Sequence, residues 1–285
     1  MTYNELWHRL TQVYDAGEAQ AIARMVYELR FGLSLSDICI GKDAQLSADC
    51  QAQLEDIAQR LLKQEPVQYV LGEATFAGRT YKVTPDVLIP RPETAELCQW
   101  ITTTHHSPLT THHSPFTILD IGTGSGCIAI TLALAWPEAD VTAWDISPAA
   151  LTVARENAAR LSARVTFEQV DALHIPPSAL HLPPFTLIVS NPPYICNKER
   201  EAMEANVLDW EPHGALFVPD DDPLLFYRAI ARYALQALEP QGWLYFEINP
   251  SYAKPLSEML HMMSYHDIEI KEDTYGKQRM IRAQR

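Results

Sequence analysis

Four consecutive residues, Asn191-Pro192-Pro193-Tyr194, follow an apolar segment that has the pattern of a buried strand. The two prolines fix φ and lack a backbone N–H, so the backbone carbonyls and the side-chain oxygen of Asn191 remain as hydrogen-bond acceptors. Two rigidly held acceptors can receive both hydrogens of a planar amino group, and the ring of Tyr194 can stack on that group. The alternative is a strand that simply ends before a buried tyrosine, and the glycine-rich segment upstream makes that alternative less favoured.

The upstream segment, Gly122-Thr123-Gly124-Ser125-Gly126, lies between a predicted strand and a predicted helix. Glycines let the backbone turn tightly and approach a ligand closely. A dinucleotide fingerprint would need glycine at position 127, which is Cys127, and the chain has no G-K-[ST] for a phosphate-binding loop. This spacing indicates a nucleoside ligand without a pyrophosphate, whereas a glycine cluster on its own would indicate only a tight turn.

Acidic residues stand at the carboxyl ends of three consecutive predicted strands, at Asp120, Asp145 and Asp171. A carboxylate at the end of the second strand, Asp145, can accept hydrogen bonds from ribose hydroxyls. Asp171 can accept from the amino group of an adenine. An aspartate at a strand end is also common turn chemistry, so the series of three carries more weight than any one of them.

These motifs need a sheet that brings strand ends together. The segments FTILDIG, VTAWDI, VTFEQVD, FTLIVSNPPY and GWLYFEI predict strands, and helices are predicted between them. DIEIKED and RMIRA predict a closing antiparallel pair. Strands that alternate with helices indicate an α/β fold with a mostly parallel sheet, and such sheets bind ligands at the carboxyl ends of their strands.

The N-terminal region has a different pattern. Residues 1–65 predict a small helical bundle, with a capping box at Thr2 and Glu5 and a third helix that begins near Ser47. The segment from Phe76 to Pro92 has β-favouring residues broken by glycine and proline, which predicts a hairpin. We therefore expect a helical domain over residues 1–75, a hairpin linker over 76–92 and an α/β domain over 93–285.

Composition and charge limit the classes of function. The 285 residues carry 22 basic and 36 acidic side chains, a formal net charge of −14, which disfavours non-specific binding of nucleic acid. The five widely spaced cysteines predict reduced thiols and no zinc site. We find no signal-peptide pattern and no apolar run of the ~20 residues that a membrane span needs, so we expect a cytoplasmic protein.

The segment TTHHSP occurs twice, at 103–108 and 110–115, and holds four of the ten histidines. A metal site is one interpretation. A low-complexity surface loop is the favoured one, because neither cysteine nor carboxylate is interleaved with the histidines.

Longer segments extend the pattern. Together with the motifs above, PVQYVLGEATF (66–76), VLIPRPETAEL (87–97), IVSNPPYI (188–195), EPHGALFVPDDDPLLFYRAI (211–230) and DTYGKQR (273–279) resemble the release factor glutamine methyltransferase family (HemK-type). The resemblance implies a Rossmann-like S-adenosylmethionine-dependent methyltransferase domain behind a helical substrate-binding domain. It also implies S-adenosylmethionine as methyl donor, S-adenosylhomocysteine as product, and no metal.

The resemblance also assigns roles to residues. Asn191, Pro192 and Tyr194 are implied to be catalytic, and these three together with Pro193 to bind the substrate glutamine. Arg91 and Glu93 are expected to form an ion pair at the mouth of the site, although a plain surface pair is as well supported. The residues implied to bind the cofactor are Gly122, Thr123, Gly124, Ser125, Gly126, Asp145, Asp171, Ala172 and Asn191.

The implied partners are peptide chain release factors, methylated on the glutamine of a Gly-Gly-Gln motif by a monomeric enzyme. Two other enzymes remain open: a glutamine methyltransferase that acts on a ribosomal protein, and an amino-methyltransferase that acts on nucleic acid. A non-catalytic module that uses the helical domain as an adaptor is a further alternative. The net charge of −14 argues against nucleic acid, and the intact motifs argue against an adaptor.

Overall fold

The computed structural model of the protein describes residues 1–105, 116–176, 179 and 184–285. These residues form two compact units, Met1–Glu73 with Glu204–Trp210, and Ala74–Met203 with Glu211–Arg285. The predicted linker at 76–92 thus lies within the second unit, and a short segment from far along the chain clusters with the first. Most of the TTHHSP repeat, from residue 106 to 115, lies outside the described residues.

The first unit is helical, as predicted. Thr2 caps the first helix in a capping box with Glu5, Asp15 caps the second, and Ser47 caps the fourth. Two five-residue helices were not predicted, because they are too short for an apolar period to be visible. The helices of this unit are α1 (Tyr3–Leu10), α2 (Ala16–Phe31), α3 (Leu35–Cys39), α4 (Ala48–Leu61), α5 (Val67–Leu71) and, later in the chain, α9 (Ala205–Trp210).

Helices and strands alternate after residue 91. The remaining helices are α6 (Pro92–Thr104), α7 (Cys127–Ala135), α8 (Pro148–Leu161), α10 (Leu225–Ala237) and α11 (Ala253–Met262). The strands are β1 (Glu73–Phe76), β2 (Arg79–Lys82), β3 (Thr117–Ile121), β4 (Asp140–Asp145), β5 (Thr166–Gln169), β6 (Phe185–Ser190), β7 (Ile195–Cys196), β8 (Phe217–Val218), β9 (Leu238–Glu247), β10 (His266–Glu272) and β11 (Gln278–Gln284).

Seven strands form the main sheet in the order β10-β11-β9-β6-β3-β4-β5. The five strands from β9 to β5 are parallel, and β11 pairs antiparallel with both β9 and β10. The predicted α/β class, the mostly parallel sheet and the antiparallel C-terminal pair are confirmed. Because β4 and β6 lie on opposite sides of β3, the chain changes direction there, and this switch point opens a crevice at the carboxyl ends.

The predicted hairpin begins earlier and is shorter than expected. β1 and β2 form a two-stranded sheet over residues 73–82, and no strand follows between 83 and 91. Pro85 and Pro90 explain the difference, because a proline has no N–H to donate to a strand ladder.

The core lies on both faces of the main sheet because successive strand residues point to opposite sides. Leu119 and Ile188 pack on one face with residues of α10 and α11. Ile118 and Leu187 pack on the other face with residues of α6 and α7. Among the described helices, none has both the length and the apolarity that crossing a membrane requires.

Candidate active site

A cavity of about 400 Å³ lies at the carboxyl ends of the parallel strands of the second unit. Its volume is typical of sites that bind small molecules. Of the predicted site residues, those that line it are Gly122, Thr123, Gly124, Ser125, Asp145, Asp171, Ala172, Asn191, Pro192 and Pro193. Gly126 and Tyr194 are not among the residues that line it.

The glycine-rich loop is fixed to the neighbouring strand. The N–H groups of Gly122 and Thr123 both donate to the carbonyl of Trp144, at 2.8 and 2.9 Å. Gly122 and Gly124 have φ of +77° and +54°, which side chains rarely adopt, and a Cβ on either would meet no described atom within 4 Å. The loop therefore lines the cavity with bare backbone, and the open space beside it fits a ligand that lies close to the chain.

Asp145 is held at the end of β4 by two backbone groups. Its Oδ2 accepts from the N–H of Gly124 at 2.8 Å, and its Oδ1 accepts from the N–H of Ser147 at 2.9 Å. Burial raises the pKa of this carboxyl, and the bonds from Ser147 and Gly124 act against that rise. Each oxygen keeps a further lone pair, so the carboxylate can accept hydroxyl donors from a ligand.

Asp171 lines the cavity after β5, and its carboxylate is oriented by its own turn. Oδ1 accepts from the N–H of Leu173, and His174 Nδ1 lies 2.8 Å from Oδ2. The adjacent Ala172 lines the cavity, and so does Ile146, whose side chain is 60% exposed. Ile146 was not predicted from the sequence, and it supplies an apolar surface that Ala172 is too small to provide alone.

Gly126 is the N-cap of α7, and the close packing around it leaves no room for a side chain. Its φ is +83°, and a Cβ there would lie 2.9 Å from Ile130 Cδ1 and 3.2 Å from Ala154 Cβ. The close approach of α7 to α8 depends on the missing side chain. Gly126 therefore shapes the loop from behind and does not face the cavity.

Replacing Gly126 by alanine is expected to lower the free energy of unfolding by about 2–5 kcal/mol. The left-handed backbone costs roughly 1–2 kcal/mol for a residue with a Cβ, and overpacking adds about 1–3 kcal/mol. Urea denaturation followed by circular dichroism measures the change. Gly276→Ala is the control, because Gly276 has φ of +77° and open space. Equal losses in both variants would contradict the packing argument.

Asp120, the first of the three acids, is completely buried at the end of β3. Its Oδ2 accepts from Thr123 Oγ1 at 2.6 Å and from the N–H of Ala129 at 3.2 Å. Its Oδ1 has no hydrogen-bond partner among the described residues. Burial raises the pKa of Asp120 to about 7, because the charged form loses its hydration.

This shift predicts a pH dependence of stability. Between the ordinary pKa of 3.8 and about 7, the unfolded chain releases the Asp120 proton while the folded protein keeps it. The free energy of unfolding should therefore fall as pH rises through this window, by at most about 1.4 kcal/mol per unit. Urea denaturation of the ligand-free protein at several pH values should show the decline in the wild type and its reduction in Asp120→Asn. The exposed Asp140→Asn is the control, and equal slopes in wild type and Asp120→Asn would contradict the prediction.

Asn191 is tied to two buried residues. Its Nδ2 donates to Thr94 Oγ1 at 3.2 Å, and Thr94 Oγ1 donates to Glu247 Oε2 at 2.6 Å. The other carboxylate oxygen of Glu247, Oε1, accepts from the hydroxyl of Tyr194 at 3.0 Å. Burial raises the pKa of Tyr194, and the nearby charge of Glu247 raises it further. The tyrosine hydroxyl is thus engaged with Glu247, and Asn191 and the two prolines face the cavity without it.

Arg91 pairs with Glu211, so the expected ion pair with Glu93 is wrong. The guanidinium contacts Glu211 Oε1, and Oε2 of the same residue accepts from the N–H of Ile89 at 3.3 Å. The Glu211 side chain is 1% exposed. Burying the charge of a carboxylate is costly unless a cation is paired with it, and Arg91 is that cation for Glu211.

Comparison with known proteins gives the family. Residues 4–72 match a family described as the PrmC N-terminal domain, and residues 112–264 match one described as a methyltransferase domain. A release factor glutamine methyltransferase of Bacteroides thetaiotaomicron is 46% identical over 276 residues, which are 97% of this chain and 96% of that protein. One of Flavobacterium psychrophilum is 40% identical and covers 96% of this chain and 94% of its own. The chain belongs to the release factor glutamine methyltransferase family.

Solved structures share the fold of this family at low identity. A methyltransferase from Pyrococcus furiosus has a TM-score of 0.51 and 15% identity, with 84% of this chain and 98% of that chain covered. The human methyltransferase 10 domain containing protein has a TM-score of 0.50 and 17% identity, over 72% and 87% of the two chains. Both agree with the methyltransferase fold seen in the second unit.

Three supporting residues of this family member were not predicted as part of the site. Asn157, buried on α8, donates from Nδ2 to the carbonyls of Ser125 and Lys82, both at 2.9 Å, and so pins the glycine-rich loop to β2. Thr94 and Glu247 hold Asn191 as described above. A polar residue within an apolar helix face was the one signal for Asn157, and Thr94 was visible only as part of the segment VLIPRPETAEL.

Proposed function

We propose that this protein transfers the methyl group of S-adenosylmethionine to the side-chain amide nitrogen (N5) of the glutamine in the Gly-Gly-Gln motif of peptide chain release factors. Membership of the family supports the reaction. The observation that carries it is that Asn191 and Pro192 line the same cavity as the glycine-rich loop and Asp145. Acceptors for an amino group and a nucleoside site thereby share one space.

The cavity fits the methyl donor in size and in its polar groups. The loop from Gly122 to Ser125 would hold the methionine part, and the carboxylate of Asp145 would hold the ribose. Asp171 and Ala172 would hold the adenine against the apolar side chain of Ile146. When bound, S-adenosylmethionine supplies an electrophilic methyl group on a sulfonium and leaves as S-adenosylhomocysteine. The proposed chemistry needs no metal.

The residues of the chain would act on the glutamine amide. Its nitrogen is a weak nucleophile because its lone pair is delocalised into the carbonyl. Asn191 Oδ1 and the Pro192 carbonyl would accept its two hydrogens, orient the nitrogen and stabilise the positive charge that develops on it. Holding the nitrogen in line with the methyl group supplies a further large factor. A proton leaves the nitrogen after transfer, so no general base is required beforehand.

Tyr194 and Gly126 do not line the cavity, so their predicted roles in binding are less direct than those of the lining residues. Contact between the Tyr194 ring and the substrate side chain is one of them, since its hydroxyl is engaged with Glu247. Gly126 acts on the cofactor loop through helix packing. We also propose that the helical N-terminal domain contacts the release factor, that the enzyme is a cytoplasmic monomer, and that nucleic acid is not a substrate.

The test is incubation of the purified protein with labelled S-adenosylmethionine and, separately, a release factor, ribosomal proteins or nucleic acid. We expect label on the release factor, and mass spectrometry should place it on the glutamine of Gly-Gly-Gln. A release factor with Gly-Gly-Ala is the matched control and should stay unlabelled. Label on a ribosomal protein glutamine would favour that alternative substrate, and label on adenine would contradict the proposal.

A further inference from the structure

Side chains from separate segments form a continuous hydrogen-bonded chain that ends at Asn191. Thr94 lies in the first turn of α6, and Glu247 is the last residue of β9. Both are buried, with 3% and 1% of their surface exposed. Asn191 donates to Thr94 at 3.2 Å, and Thr94 donates to Glu247 at 2.6 Å.

The direction of each hydrogen bond in this chain follows from the chemistry of its members. The Thr94 hydroxyl donates its hydrogen to Glu247 Oε2 at 2.6 Å, and the carboxylate form of Glu247 can only accept. The Thr94 oxygen is then left as an acceptor for Asn191, and an acceptor can be satisfied by Nδ2 but not by Oδ1. The order of protons therefore selects one of the two orientations of the Asn191 amide.

Orientation matters because the two ends of the amide have opposite polarity. With Nδ2 bound to Thr94, Oδ1 is the end left to accept from an incoming amino group. The reversed amide would present two N–H donors to a substrate group that is itself a donor, which cannot form a hydrogen bond. A free threonine hydroxyl would allow both orientations, because it can donate or accept.

We propose that Thr94 and Glu247 are positioning residues that fix the Asn191 side chain with Oδ1 towards the substrate. This inference rests on the proposed function, in which Asn191 accepts from the glutamine amide. Neither residue touches the reacting atoms in this assignment, and both act through Asn191.

Several neighbouring groups hold Glu247, the first member of the hydrogen-bonded series that leads through Thr94 to Asn191. Its Oε1 accepts from the Tyr194 hydroxyl at 3.0 Å, and its backbone carbonyl accepts from the hydroxyl of Tyr227 at 3.1 Å. Burial raises the pKa of Glu247, while the hydroxyls of Thr94 and Tyr194 and the charge of Arg279 act against that rise. The Glu247 side chain is thus anchored by several groups. It is connected to the Asn191 side chain through the hydroxyl of Thr94.

Threonine variants test the proposal. Thr94→Val keeps the shape and removes the hydroxyl, and we expect kcat to fall about 10- to 100-fold, with little change in the KM for S-adenosylmethionine. Thr94→Ser restores the hydroxyl and should restore kcat to near the wild-type value. Thr102→Val is the matched control on the same helix, and its kcat should be unchanged. Among the described residues, the Thr102 hydroxyl bonds to the backbone carbonyls of Cys98 and Gln99 and to no other group.

A second measurement does not depend on the reaction. In the ¹⁵N-labelled protein the side-chain NH₂ signals of Asn191, identified by their loss in Asn191→Ala, should shift in Thr94→Val and return towards the wild-type position in Thr94→Ser. If the wild type fails to methylate a release factor, the proposed function fails, and these signals still decide the orientation. Wild-type kcat or unshifted signals in Thr94→Val would overturn the inference, and so would an equal loss of kcat in Thr94→Ser.

Glu247→Gln provides an independent variant in case Thr94→Val does not fold. The glutamine keeps the size of the side chain but can donate to Thr94, which frees the threonine hydroxyl to bind either end of the Asn191 amide. We expect the same shift of the Asn191 signals and a lower kcat. Unchanged signals together with an unchanged kcat would overturn the inference.

Discussion

Asn191→Ala is expected to lower kcat by about 10²–10³-fold, the loss typical of removing one group that stabilises charge in a transition state. The alanine removes the Oδ1 acceptor that we assign to the substrate amide. It leaves the glycine-rich loop and Asp145, which bond to each other and not to Asn191. The affinity for S-adenosylmethionine should therefore change little. Single-turnover kinetics and isothermal titration calorimetry measure the two effects separately.

The matched control for this variant is Asn197→Ala. Asn197 donates to the carbonyl of Val218 at 3.1 Å and does not line the cavity, so its loss should leave kcat unchanged. Near-normal turnover by Asn191→Ala would exclude the proposed mechanism. If Asn191→Ala instead lost affinity for S-adenosylmethionine and kept its kcat, Asn191 would be assigned to cofactor binding and not to substrate binding.

Asp145→Ala is expected to weaken the binding of S-adenosylmethionine by about 10- to 150-fold, because a hydrogen bond to a charged group contributes about 1.5–3 kcal/mol. The alanine also releases the N–H groups of Gly124 and Ser147, which Asp145 holds at 2.8 and 2.9 Å. The loop that should hold the methionine part then loses its link to the end of β4. Isothermal titration calorimetry gives the dissociation constant, and kcat at saturating S-adenosylmethionine should recover most of its value.

Two further variants sharpen the second prediction. Asp145→Asn keeps one oxygen for the Gly124 N–H but loses the charge, so its affinity should lie between those of the wild type and the alanine variant. Asp140→Ala removes an exposed carboxylate from the start of the same strand and should leave the affinity unchanged. An unaltered dissociation constant in Asp145→Ala would show that the ribose is held elsewhere.

Much of the fold could be predicted because its signals are local. The capping box at Thr2, the cap at Ser47 and the apolar strands that precede Asp120 and Asn191 each depend on neighbours within a few residues. The cavity lining at Gly122–Ser125, Asp145 and Asn191 follows from the same patterns, because parallel strands place their carboxyl ends at one edge.

Two of the differences between sequence and structure come from contacts between distant parts of the chain. Arg91 pairs with Glu211, and the segment Glu204–Trp210 clusters with the first unit, although both partners lie more than a hundred residues away in the chain. No periodicity or motif encodes such a contact. The third difference has a local cause. The β-favouring residues continue past Lys82 and predict a later hairpin, but Pro85 and Pro90 remove the donors that a strand ladder needs.

Residue types and spacings alone are enough to predict the α/β class, the helical N-terminal region and the family resemblance. They also identify the groups that can bind an amino group and a nucleoside. These depend on residue types at short, fixed spacings. Other features are visible only in the folded protein. Asn157 fixes the glycine-rich loop, Gly126 allows close helix packing, and Thr94 and Glu247 hold Asn191. A hydrogen bond has a direction and a length of about 3 Å, so which of many polar side chains meet is settled only when distant segments pack together.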